Sequence, residues 1–259
     1  MKKEMDFGVF YTCFTEYDSV NYSLEELYKI YPNIPVFLVS DGGADYSELE
    51  KKFSGLKTSL ENDSRGLVPK VNYQNFLQED TQKYMKDSIF TFMDRIERAI
   101  RYCKKDYLLI MEPDVLVRGK LHIDENDHLL GSRVNHYHWA KDQINEVLSK
   151  IPGSANVSHY GATPAIFKCE TFLKIHKFFK ENENYIEDFC KIDPCFPNYD
   201  ILITVIFSAF GYPEVVNTEL TECLRNPHWR DSNHPLLHQF REFYPTNNYN
   251  GRHSSNWQY

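Results

Sequence analysis

The chain has 259 residues, 42% hydrophobic and 25% charged, the make-up of a globular protein with a sizeable core. Its formal net charge of −8 argues against nucleic acid or an anionic membrane surface as partner, so a phosphate-bearing ligand would need a metal ion or a local basic cluster. The longest apolar run, residues 201–210, is about half of the ~20 residues that a transmembrane helix requires, and no export signal is visible near Met1. With six scattered cysteines and no C-x-x-C pair, a cytoplasmic setting is expected.

The first third alternates strand and helix. Residues 7–14, rich in aromatic and β-branched side chains, read as a strand. Residues 23–31 carry apolar side chains at 24, 27, 28 and 30, with two glutamates near the start and Pro32 beyond the end, which predicts a short amphipathic helix. Residues 36–39 predict a second buried strand, broken by Asp41-Gly42-Gly43, and residues 46–53 a second helix. This order is the signature of a parallel sheet with helices on its faces. Residues 61–87 are polar and turn-rich and read as a loop over a site.

Residues 89–103 predict a strong helix, with apolar positions at 89, 92, 93, 96, 100 and 103 and Asp94, Arg95, Glu97, Arg98 and Arg101 on the other side. A strand at 107–111 follows, ending at Glu112-Pro113-Asp114, and a second apolar run occupies 115–117. Beyond it the pattern predicts strands at 129–134 and 165–167 and helices at 142–151, 170–179 and 199–210. The tail after Asn226, rich in His, Asn, Pro and aromatics, is expected to form an arm or lid.

In parallel α/β sheets, ligands bind outside the carboxyl ends of the strands. Three such ends carry chemistry here: Cys13-Phe14-Thr15-Glu16, Asp41-Gly42-Gly43-Ala44-Asp45 and Glu112-Pro113-Asp114. Two carboxylates at i and i+2 can share a divalent ion with the phosphates of a nucleotide, because hard cations take oxygen ligands. Glycines let a backbone approach a ligand closely, and Asp41 can accept a hydrogen bond from a base N–H or a ribose hydroxyl. The bland alternative at each end is a plain turn.

The runs Val9-Phe-Tyr-Thr-Cys-Phe-Thr-Glu16, Leu24-Glu-Glu-Leu27 and Val36-Phe-Leu-Val-Ser-Asp-Gly-Gly-Ala-Asp45, with Tyr107-Leu-Leu-Ile-Met-Glu-Pro-Asp-Val-Leu-Val117, resemble the nucleotide-sugar-dependent glycosyltransferases of the GT-A fold. The resemblance covers roughly residues 7–212. It implies one domain over 1–259 with a mostly parallel central sheet flanked by helices: a donor half to about 118, an acceptor half at about 119–225 and an arm at 226–259. It implies that a nucleotide-sugar, a UDP-sugar first, is held by Thr12, Phe14, Thr15, Asp41, Gly42, Arg95, Glu112 and Asp114. The family's D-x-D metal motif is matched by Glu112-Pro113-Asp114, with glutamate in place of the first aspartate; a Mn²⁺ or Mg²⁺ cofactor would rest chiefly on Asp114, with His228 as the C-terminal ligand.

On the acceptor side, Tyr160 and Gly161 look like the family's small-residue loop for a carbohydrate acceptor, with Trp139 or Trp229 stacking on a sugar ring. Asp200 would be the base of an inverting transfer, with Asp193 as runner-up; an ordinary helix N-cap is the other role open to Asp200. Lys83, Lys86, Arg95 and Arg118 are the basic side chains at hand for a leaving diphosphate. His136-x-His138 could line the site or hold zinc with a third ligand. Two other readings stay open: a sugar nucleotidyltransferase, against which residues 12–18 lack any glycine, lysine or arginine, and a carbohydrate-binding protein on a degenerate transferase fold.

Overall fold

The computed structural model describes residues 3–61, 75–133, 140–193, 196, 198–217, 221–222 and 233–238. In chain order the strands are β1 (Lys3–Glu4), β2 (Phe7–Cys13), β3 (Val36–Asp41), β4 (Leu56–Glu61), β5 (Tyr107–Met111), β6 (Val115–Val117), β7 (His122–Ile123), β8 (Leu129–Arg133), β9 (Gly161–Lys168), β10 (Val215–Val216), β11 (Thr221–Glu222) and β12 (Leu236–His238). The helices are α1 (Tyr17–Ile30), α2 (Glu79–Cys103), α3 (Lys141–Leu148), α4 (Cys169–Glu181), α5 (Glu183–Cys190) and α6 (Tyr199–Ser208).

Seven of these strands form the central sheet, in the order β10-β8-β9-β5-β2-β3-β4. β9 runs antiparallel to both its neighbours, and every other pairing in this sheet is parallel. The expected mostly parallel sheet is thus present. Because both faces are covered, β2, β3 and β5 are buried along their whole length and are mainly apolar. Their side chains still alternate. In β5, Leu108 and Ile110 join the core that holds α2, α4 and α6, while Tyr107, Leu109 and Met111 join the opposite core with α1.

Several elements depart from the sequence expectation. α1 begins at Tyr17, ahead of position 23, and the second helix is a short 3-10 segment, Ser47–Lys51. β4 and α5 were not anticipated. α2 starts at Glu79 instead of 89, so the polar residues 79–87 are helical; Glu79 and Asp80 suit the positive end of the helix dipole, and Lys86 is tied to Glu183 and Glu187 of α5 at 3.0 and 2.8 Å. Residues 62–74 lie outside the described part.

α2 ends against β2 at Gly8. A Cβ there would lie 2.4 Å from Cys103 Cβ and 2.6 Å from its sulfur. Gly8→Ala should therefore lower stability by about 1–3 kcal/mol, the cost of overpacking a close contact; an unchanged urea midpoint would show that the helix end can shift freely. Cys13, Cys103, Cys169 and Cys190 are buried free thiols, and burial pushes their thiol pKa values up, so they act as small core hydrophobes. No described helix is long and apolar enough to cross a membrane.

Candidate metal and nucleotide site

The register of the sheet places the three chemically loaded strand ends side by side. Tyr11 pairs with Met111 and Cys13 with Ser40, so Thr12 is level with Glu112 and the Phe14 loop abuts the Asp41 loop. β9 meets β5 in the opposite direction, its last pair being Leu109 with Ile166, so its first residues run on past the end of β5 beside Glu112. The acceptor-side loop Tyr160-Gly161 thus reaches the same edge as the acidic pair.

After β5 the chain turns, the Val115 N–H donating to the Glu112 carbonyl at 3.0 Å, and β6 follows. Ser23 of α1 donates its hydroxyl to the Val115 carbonyl at 2.6 Å and holds that turn from below. Asp114 is buried and Glu112 partly so. The third member comes from the far end of the chain. β12 lies antiparallel to β6, with His238 opposite Val115, and this puts His238 Nε2 3.6 Å from Glu112 Oε2 and 3.7 Å from Asp114 Oδ1. One ligand atom from each residue falls within 4.8 Å of the others.

Ligand atoms bound at about 2.1 Å to one ion lie at most about 4.2 Å apart, so both distances to His238 fit a single divalent cation. Two carboxylates and an imidazole are a donor set for Mn²⁺ or a similar ion. His228, the histidine expected from sequence, lies outside the described residues, as do Trp139, Trp229, His136 and His138. His238 was the missed residue. Its signal was present in Pro235-Leu236-Leu237-His238, a short apolar run ending in a histidine, as a strand that delivers a ligand would be.

Asp41 and Arg95 were expected to face the donor, and the structure turns both inward. Arg95 donates from its NH2 nitrogen to Asp41 Oδ1 at 2.9 Å and from Nε to Glu61 Oε2 at 2.8 Å, with the Arg95 and Asp41 side chains 1% and 0% exposed. Arg98 also meets Glu61. Burial pulls the Glu61 carboxyl up, but Arg98 and Arg95 outweigh it and hold the carboxyl below its ordinary value. Glu61, expected to open the loop at 61–87, is instead the last residue of β4.

Gly42 and Gly43 shape the turn after β3. Gly42 has φ +71, and a Cβ on Gly43 would meet the Phe14 carbonyl oxygen at 2.0 Å. The Ala44 N–H donates to that carbonyl at 2.7 Å, and Tyr46 donates its hydroxyl to it at 3.2 Å. Glu16 folds back to accept from the Phe14 and Thr15 N–H groups at 3.0 and 2.9 Å. Thr12 is buried, Phe14 half-buried and Thr15 exposed at this rim.

On the acceptor side Tyr160 and Asp193 are both buried and near each other; burial first, then the Asp193 charge, pushes the Tyr160 hydroxyl up to about 12. Asp200 is placed by its backbone in the first turn of α6, and its side chain lies outside the described part. Of the other basic candidates, Lys86 is committed to α5, Lys83 is exposed on α2, and Arg118 directly follows β6. A second three-residue cluster, Asp94, Glu97 and His176, works differently: the His176 ring nitrogens meet Asp94 at 2.8 Å and Glu97 at 3.2 Å, while Lys180 and Arg101 already neutralise the carboxylates. It clasps α4 to α2.

No family model and no curated protein sequence matches the chain. Solved structures do. The galactosyltransferase LgtC in complex with donor and acceptor sugar analogs superimposes with a TM-score of 0.56 at 15% identity, covering 90% of this chain and 87% of that one. An active-site variant of LgtC gives a TM-score of 0.54 at 15% identity, with the same coverage. At this identity the likeness establishes the fold, and it is the GT-A glycosyltransferase fold expected from sequence.

Proposed function

We propose that the chain is a metal-assisted glycosyltransferase that moves a sugar from a UDP-sugar to a hydroxyl of a glycan or other acceptor. The observation that carries this reading is the convergence of Glu112, Asp114 and His238 at the strand ends of a glycosyltransferase fold. When bound, a divalent ion supplies positive charge for the departing diphosphate. Asp114, buried and held by the turn into β6, is the fixed ligand; Glu112, longer by one methylene and partly exposed, is the adjustable one. His238 adds an imidazole nitrogen, which favours Mn²⁺ over Mg²⁺.

The rest of the chemistry falls to side chains around that centre. Thr12, Phe14 and Thr15 line the rim for the nucleoside, and Arg118, directly after β6, is the basic side chain offered to the diphosphate. The Asp41–Arg95–Glu61 group acts on the donor indirectly, by fixing the β3 end against which the Phe14 loop packs. Tyr160 and Gly161 receive the acceptor. Asp200, at the start of α6, removes the proton of the attacking hydroxyl in an inverting transfer, with Asp193 as the alternative carboxylate.

Incubation with a panel of UDP-sugars and Mn²⁺ should release UDP; sugar affinity without nucleotide release across the panel would mark a binding protein instead. In Mn²⁺, Asp114→Asn should weaken the metal-dependent part of UDP binding more than Glu112→Gln, because the buried ligand has fewer alternatives. Equal UDP affinity in EDTA and in Mn²⁺ for the unaltered protein would remove the metal from the proposal and leave the nucleotide.

A further inference from the structure

β12 is a short strand at the end of a long excursion, yet residues 235–238 are seated firmly. The Arg118 N–H donates to the Pro235 carbonyl at 2.8 Å, and Pro235 sits 3.1 Å from where a Cβ of Gly119 would be. Leu236 and Leu237 are both 0% exposed. Three register pairs join the strand to β6, and two parallel pairs join it to β11. The same strand carries His238 to the acidic pair at 3.6 and 3.7 Å.

We propose that the divalent ion latches this C-terminal strand onto the body of the protein, so that ion binding and docking of β12 on β6 are one coupled equilibrium. The inference rests on the metal reading above and adds a consequence to it. Glu112 and Asp114 belong to the β5–β6 turn, and His238 to a distant segment that is brought beside them by a three-residue ladder on β6. An ion held by all three closes a chain loop more than a hundred residues long and binds the docked form better than the released one. Mass action then favours docking as the ion is added. Linkage is reciprocal, so a docked β12 also raises the affinity of the site for the ion.

The test is hydrogen exchange of residues 236–238 in the full chain, with and without Mn²⁺, alongside direct measurement of Mn²⁺ binding by the loss of free-ion resonance signal. At an ion concentration 100 times the measured Kd, exchange in β12 should slow on the order of 100-fold, the limit for an ion that binds only the docked strand. Exchange in β5, residues 107–111, serves as the control and should be unchanged. In His238→Gln, the carboxylates should retain weaker Mn²⁺ binding while β12 loses its ion-dependent protection. Mn²⁺ binding with no change in β12 exchange overturns the latch and leaves the metal reading standing. Absence of Mn²⁺ binding overturns both. Equal slowing in β5 and β12 also overturns the latch, because it would reflect general stabilisation of the fold.

Discussion

Asp41→Ala should lower the stability of the fold by about 3 kcal/mol, because it removes one partner of a buried ion pair and leaves the Arg95 guanidinium with part of its charge unmatched. Arg95 is 1% exposed and cannot turn to solvent without opening the α2 interface. Glu61 remains at 2.8 Å, which keeps the expected loss at the lower end of the 3–5 kcal/mol typical of a broken buried pair. Chemical denaturation of the variant measures it directly, and Asp41→Asn, which keeps an acceptor in place, should recover part of the loss. A variant as stable as the parent would mean that water or a neighbouring carboxylate takes over, and Asp41 would again be free for a role toward the donor.

The same cluster gives a pH dependence of known sign. The folded-state pKa of Glu61 is depressed by Arg98 and Arg95 against the upward pull of burial, so its contribution is fully present above the unfolded value of about 4.3 and is lost as the pH falls through the folded value. Acid unfolding below about pH 4 should therefore be steeper in the parent than in Glu61→Gln.

Burial explains what was legible in the sequence. β2, β3 and β5 are covered on both faces, so they appear as short, mainly apolar runs rich in β-branched and aromatic residues. Their ends are also where the candidate site lies, so the acidic pair could be read without coordinates. β4 was invisible because it is an edge strand whose Leu-Lys-Thr-Ser-Leu-Glu pattern alternates weakly, and Glu61 with it resembles the start of a loop. The first part of α2 and the whole of α5 are polar enough to resemble loop; the ties of Lys86 to Glu183 and Glu187 are tertiary and leave no periodic trace.

The candidate histidine shows the limit most clearly. His228, His234 and His238 are equivalent as letters, and a tryptophan beside His228 made that choice attractive. What selects His238 is the pairing of Leu236 and Leu237 with Val117 and Leu116, a long-range register that fixes the residue after them opposite Val115. In the same way, the glycines after Asp41 signalled special backbone: Gly43 makes its close approach to the Phe14 backbone, and Gly42 supplies a φ of +71.

Asp200→Asn should reduce turnover by on the order of 10² to 10⁴ while leaving donor binding nearly unchanged, the loss expected when a general base is replaced by its neutral isostere. The apolar residues Leu202, Val205, Ile206 and Phe207 of α6 are buried in the core and fix the helix against β9, the strand that begins at Gly161. Asp200 stands in the first turn of that helix. The pre-steady-state rate of UDP release, measured at saturating donor and acceptor, separates a lost base from lost binding. Product configuration separates the two mechanisms and the size of the rate loss separates the two carboxylates: inversion with a large loss at Asp200 supports the assignment. More than about a tenth of the parent rate in Asp200→Asn would make the residue a helix cap and move the search to Asp193, the buried carboxylate beside Tyr160. Retention of the donor's configuration would dispense with a base on this helix altogether, because the attacking hydroxyl would then approach from the face that the departing diphosphate occupies.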